Sequence, residues 1–181
     1  EAKSHLEARV AQQYIGTRAL VSMGALRSIN VFLAGEVRQP GNYTVSALLT
    51  LTQAIFVAGG ISDVGSFRNV QLKRNGKLIG VFDIYDLLLA GDNSGDRRLQ
   101  SGDVIFVTLT GPQASIVGEV ARPAIYEFKP DETLGALLSM AGGVLARGDS
   151  RRATLNRQEP GALLSSVINV NLNDETTLDM A

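Results

Sequence analysis

Between residues 31 and 107 the apolar positions change their spacing several times, and each change marks an element. Val31-Phe-Leu-Ala-Gly-Glu-Val37 is rich in branched residues and reads as a strand. Pro40-Gly41 supplies a turn with one fixed and one permissive φ, and Tyr43 opens the return strand of a hairpin. Leu51, Ala54, Ile55 and Ala58 then fall at i, i+3, i+4 and i+7, the single apolar stripe of a short helix that packs on a sheet. Gly59-Gly60 closes that helix, because the residue after the last turn usually adopts left-handed geometry. Val70 and Leu72 alternate with polar neighbours up to Arg74, Asn75-Gly76 is a hairpin turn, and Lys77 to Phe82 returns. A second short helix over Ile84 to Leu89, a turn over Leu99 to Asp103 and a strand over Val104 to Val107 complete the order ββαββαβ.

The pattern recurs. GEVRQPGNY at Gly35–Tyr43 returns as GEVARPAIY at Gly118–Tyr126, a displacement of 118 − 35 = 83. Without a gap, Thr50-Leu51 maps onto Thr133-Leu134, Ala58-Gly59-Gly60 onto Ala141-Gly142-Gly143, and Gly65 onto Gly148. Arg68 maps onto Arg151, Leu72 onto Leu155 and Arg74 onto Arg157. The stripe repeats as Leu134, Leu137, Leu138 and Ala141, and Ser115–Val120 repeats the first strand. Pro123-Ala124 replaces Pro40-Gly41, which argues against a turn that needs positive φ at its second position in this copy.

The second copy ends differently. Val167–Leu172 is followed by Asn173-Asp-Glu-Thr-Thr, and no closing Gly-Asp strand appears, so its sheet is expected to carry an open edge that invites pairing. Thr17–Met23 forms an unassigned strand pattern, preceded by a helical stretch in which Leu6, Val10 and Tyr14 share a face. Arg18–Met23 is expected to close a preceding unit or to occupy the missing slot of the second copy. The organisation is thus an N-terminal helix and strand over 1–28, a first module over 29–110 and a second, truncated one over 111–181.

An apolar content of 45% supports a packed core. The net charge of −1, seventeen Lys and Arg against eighteen Asp and Glu, argues against a nucleic-acid partner. The absence of cysteine excludes disulfides, thiolate metal sites and cysteine nucleophiles. The chain starts at Glu1, shows no signal pattern, and interrupts its greasiest stretch, Val45–Val57, with Ser46, Thr50, Thr52 and Gln53, so no membrane span is expected. It reads as a soluble segment of something longer.

No nucleophile elbow, zinc-protease motif, P-loop or dinucleotide fingerprint is present, so no catalytic residue, cofactor or metal is assigned. His5 is the only histidine and lies in a polar helical stretch, which favours a solvated residue over a ligand or general base. Glu36 and Glu119 are paired only by the repeat; an edge position or salt bridge explains them better than acid/base work. Asp103 after Gly102 reads as turn chemistry. Gly91-Asp-Asn-Ser-Gly-Asp96 lacks the twelve-residue calcium loop with its terminal Glu and reads as a polar loop.

The GEV..P..Y hairpin, the helix ending in AGG, the arginine-bearing strand and the closing L..GDVIFV resemble the SLBB family, the soluble-ligand-binding β-grasp modules. The nearest likeness is to outer-membrane polysaccharide and capsule export proteins of the Wza-like kind, fully over Ile29–Val107 and in part over Ala114–Leu172. The resemblance implies an α+β fold of two tandem β-grasp, ubiquitin-like modules. It also implies a non-enzymatic periplasmic scaffold or ligand-binding role in an outer-membrane-associated export protein. The partners so implied are a polysaccharide and other export-machinery proteins, with homo-oligomers through strand-edge pairing. A second reading is a small-molecule receptor, because related modules occur in cobalamin-handling proteins and a respiratory-complex subunit.

On the binding reading, Arg68, Arg74, Arg151 and Arg157 offer fork-shaped donors for uronic acids or phosphates of a glycan. Arg74 shares the strand face of Val70 and Leu72, so its stem equally well covers the rim of the core. Tyr43 and Tyr126 either stack on sugar rings or cover a core edge.

Overall fold

The computed structural model describes residues 2–13, 27–158 and 165–180. A helix, α1 (Ala2–Gln13), comes first and carries His5 exposed. The strand expected over Arg18–Met23 lies outside the described residues, as does Tyr14.

The first module has the expected seven elements: β1 (Ser28–Gly35), β2 (Gly41–Ser46), α2 (Leu51–Val57), β3 (Gly65–Arg74), β4 (Lys77–Phe82), α3 (Ile84–Ala90) and β5 (Val104–Leu109). They build one sheet in the order β2-β1-β5-β3-β4. β5 runs parallel to β1 and antiparallel to β3, and the two outer pairs are antiparallel hairpins. Alternation does what the sequence implies: Ile29, Val31 and Leu33 on β1, Val70 and Leu72 on β3, and Ile105 and Val107 on β5 are all buried. They meet Leu51, Ala54, Ile55 and Ala58, the whole predicted stripe of α2. Each fully buried Val, Leu or Ile stabilises by roughly 1.5–3 kcal/mol relative to exposure, so this two-layer contact is what holds the module together. Asn75 (φ 50°) and Gly76 (φ 74°) form the tight turn between β3 and β4.

The second module repeats six of these seven elements: β6 (Gln113–Ile116), β7 (Ala124–Glu127), α4 (Leu134–Met140), β8 (Ala153–Arg157), β9 (Ser166–Val170) and α5 (Glu175–Leu178). Its hairpins β6-β7 and β8-β9 remain separate two-stranded sheets, and among the described residues no strand joins them. The repeat holds at the level of single bonds. Gln39 N donates to Ala58 O as Arg122 N does to Ala141 O, and Ser62 N to Glu36 O as Leu145 N does to Glu119 O. Ala124 keeps an ordinary backbone, Asn75 being the only non-glycine with positive φ among the described residues.

In both copies the first strand stops earlier than the apolar run suggests, at Gly35 rather than Val37 and at Ile116 rather than Val120. At Gly35 (φ 75°) the chain leaves the ladder so closely against β5 that an added Cβ would lie 2.0 Å from Val107 O. Glu36 N then donates to Val107 O at 2.9 Å, and Val37 turns inward to bridge Ile61, as Val120 bridges Val144. Gly118 keeps the same bend (φ 97°), but nothing lies within 4 Å of its would-be Cβ.

Gly118→Ala is therefore expected to cost about 1–2 kcal/mol, the strain of a left-handed alanine. Gly35→Ala adds the overlap with Val107 and is expected to cost about 1–3 kcal/mol more. Urea unfolding of the two variants checks this, and equal costs would contradict it.

Candidate functional site

One cluster of charged side chains lies where the two modules meet. Arg68 sits on β3 beside Ser66 and Phe67, in a stretch whose register shifts against β5 between Gly65 and Val70, which turns these residues toward the second module. Its side chain is 7% exposed. Nη1 donates to Asp83 Oδ2 at 3.0 Å, Nη2 to Glu132 Oε2 at 2.9 Å, and Nε to Glu127 O at 3.2 Å. The guanidinium lies 4.6 Å from the centre of the Tyr85 ring, a cation–π contact in a dry setting.

Glu127 reciprocates from the end of β7. Its buried carboxylate accepts from Ser66 Oγ (2.7 Å), Phe67 N (2.8 Å), Arg68 N (3.3 Å) and Gly111 N (2.8 Å). A buried anion is tolerable when its lone pairs are filled in this way. Asp83 serves three partners at once: Arg68, Lys129 Nζ at 2.8 Å, and the backbone N–H of Tyr85, which it caps at the start of α3. The rings of Phe67, Tyr85 and Tyr126 form a ladder across the same boundary, with centroids 6.0 and 6.4 Å apart.

The remaining residues singled out from sequence are scattered. Arg74 makes a bidentate pair with the fully buried Asp103, Nε to Oδ1 at 2.7 Å and Nη2 to Oδ2 at 2.9 Å, clamping the end of β3 to the start of β5. Asp103 also accepts from Gln100 N, so the turn role is real, and the arginine clamp is an addition that sequence alone did not reveal. Arg151, at the repeat position of Arg68, has a side chain 75% exposed and bonds Asp149 within its own turn; Arg157 is exposed at the end of β8. Tyr43 OH donates to Gln39 O, and Tyr126 OH to Arg122 O, both at 2.6 Å, so each hydroxyl ties its own hairpin turn.

Glu36 accepts from Ser62 Oγ, and Glu119 pairs with Arg147, each within its own module. In the polar loop, Asp96 accepts from Thr52 N at the start of α2 and Asp92 from Ser94 N. Among the described residues no cluster of His, Cys, Asp or Glu could hold a metal ion, and no helix is long and apolar enough to cross a membrane.

A second feature is a cleft of about 810 Å³ between β6 and β8, floored by α4 and lined by Ile116, Leu137, Leu138, Leu155 and Val170. Glu127, Asp83, Glu132, Lys129 and Tyr85 were not legible as site residues. Glu127 does replace Thr44 of the first copy, and Asp83 stands immediately before a helix, but neither signal names its partner, Arg68, which is 59 residues from Glu127 and 15 from Asp83.

Comparison with known proteins matches this arrangement to a family twice. A family model described as SLBB domain covers residues 30–107, and another of the same description covers 113–165. The chain belongs to the SLBB family. This SLBB tandem is 28% identical over 148 residues to the EPS I polysaccharide export outer membrane protein EpsA of Ralstonia nicotianae, an overlap of 80% of this chain and 39% of that protein. It is 29% identical over 102 residues to the polysialic acid transport protein KpsD of Escherichia coli, covering 56% of this chain and 18% of KpsD. The chain thus spans well under half the length of either relative. The fold of the SLBB tandem is the expected α+β one, with β-grasp-like modules in series.

Removing one partner of a buried ion pair strands the others. Arg68→Ala is expected to lower unfolding free energy by about 3–5 kcal/mol, whereas Arg151→Ala, at the same repeat position, should change it by less than about 0.5 kcal/mol. Urea titration separates the two. The junction is also expected to lose stability in alkali. The hydrogen bond to Asp83 holds the Lys129 pKa above 10.5, against desolvation, and burial raises the Tyr85 pKa above 10.0. Both shifts favour the protonated form in the folded state, so their stabilisation is complete below about pH 10 and is lost as pH rises through the raised values. The urea midpoint should fall more steeply above that pH in the native chain than in Lys129→Met.

Proposed function

We propose that this SLBB tandem is a non-enzymatic structural segment of a polysaccharide export protein, working in the periplasm at the outer membrane and contacting the polymer or partner export proteins. The observation that carries the reading is the similarity to EpsA, which runs across both modules rather than one. The junction supports the scaffold part: Arg68, Asp83, Glu127 and Glu132 are spent on one another, which fixes how the two modules are oriented.

Of the arginines suited to an acidic glycan, Arg151 and Arg157 face solvent on the second module, with Arg152 beside them at 83% side-chain exposure. We assign the polymer contact to this face. Arg68 and Arg74 hold the protein itself, and the hydroxyls of Tyr43 and Tyr126 brace the turns. Self-association by strand edges has two available edges in the first module, β2 and β4, of which β4 exposes Leu78, Ile79 and Val81. The receptor alternative draws on the cleft, whose volume lies in the range of small-molecule sites.

Titration calorimetry with polysialic acid, and with neutral dextran as control, tests the polymer contact. Binding of the acidic polymer is expected at low salt, weakened at least about five-fold in the Arg151→Ala/Arg157→Ala variant and by added salt, with the polymer recovered at unchanged length. Failure of the unmodified chain to bind the acidic polymer would remove the polymer contact from this reading and leave protein contacts alone.

A further inference from the structure

The cleft of the second module has the shape of one missing β-strand. In the first module β5 lies between β1 and β3, parallel to one and antiparallel to the other, with Ile105 and Val107 turned into the core. The displacement of 83 places β6 on β1 and β8 on β3, and the cleft lies between them. Its apolar lining repeats the lining that β5 meets: Ile116 stands for Leu33, Leu137 for Ala54, Leu138 for Ile55 and Leu155 for Leu72. Gly118 supplies an independent mark. It makes the same left-handed bend that lets Gly35 pass against Val107 O, yet the space beside it is open. Among the described residues β6 pairs only with β7 and β8 only with β9, so both strands turn an unused ladder edge toward the gap.

We propose that this cleft is a strand-acceptor site. Its occupant is an extended polypeptide segment patterned like Val104–Leu109, entering parallel to β6 and antiparallel to β8 with alternate apolar side chains directed at α4. A polypeptide fits better than a glycan or a small apolar molecule, because two facing strand edges present backbone donors and acceptors in strand register, and another backbone answers both. Among the described residues no segment of this chain supplies it. A second copy would have to give up β5, the central strand of its own first module, with Ile105 and Val107 fully buried there. The inference stands on the fold and does not depend on the export reading.

Hydrogen–deuterium exchange with mass spectrometry tests it, with a synthetic peptide of the Ser101–Leu109 sequence added to the intact chain. The expected result is saturable slowing of exchange, at least about ten-fold, over 113–116 and 153–157, with no slowing over β1 and β3. The same peptide carrying proline at the positions of Ile105 and Val107 should have no effect, since proline lacks the N–H the ladder needs. Absence of added protection overturns the proposal. So does equal protection by the proline peptide, or full protection of β6 and β8 before any peptide is added. In that last case the slot is already filled from within the chain or by a second copy, and light scattering distinguishes the two. Displacement of the peptide by 8-anilinonaphthalene sulfonate without loss of ladder protection likewise counts against it.

Discussion

In the first module one strand, β5, bonds to both halves of the sheet. The hairpins β1-β2 and β3-β4 form from neighbouring residues, and a two-stranded hairpin is only marginally stable by itself. β5 turns them into a five-stranded sheet by offering one edge to β1 and the other to β3, while Ile105 and Val107 complete the layer under α2. The buried Asp103 just before it fixes its register by clamping Arg74 at the end of β3. The second module has the same plan without such a strand among its described residues. Its hairpins stay apart, its buried cluster is limited to Val120, Tyr126, Leu137 and Ala141, and Val117, Ile125 and Val167 remain exposed.

The junction between the modules illustrates how one repeated residue acquires two roles. Arg68 and Arg151 have the same type and the same place in the repeat, yet the first is enclosed by groups of both modules and the second faces water. Enclosure costs desolvation of several charges, and the Coulombic return on a buried cluster rarely exceeds that cost by much. What the network contributes is orientation. Arg68 is held by four acceptors, Asp83 in its own module and Glu127, Glu132 and Met140 in the other, and Glu127 by four donors on two segments, so few relative placements of the modules satisfy them all. On the proposed export reading, a set angle between successive modules would be a functional property in itself.

A good part of the fold was legible in sequence because it depends on spacing along the chain. The stripe Leu51, Ala54, Ile55 and Ala58, the alternation of Val70 and Leu72, the Asn75-Gly76 turn and the 83-residue register all follow from local backbone geometry, and each has its counterpart in the structure. The ends of β1 and β6 were not legible, since a run of branched residues does not show that Gly35 must bend around Val107, which lies on a strand about seventy residues later.

The site residues divide along the same line. Sequence determined that Arg68, Arg74, Arg151 and Arg157, and Tyr43 and Tyr126, stand at matched positions of two related units, because a repeat is a property of the chain alone. Tertiary structure decided which arginine is enclosed and which is exposed, that Glu127 and Asp83 are its partners, and that the described strands of the second module border a cleft rather than form a closed sheet. Periodicity reports which face a residue occupies. What lies opposite that face depends on segments far away in the chain, whose approach is set by packing between modules and leaves no mark in the local pattern.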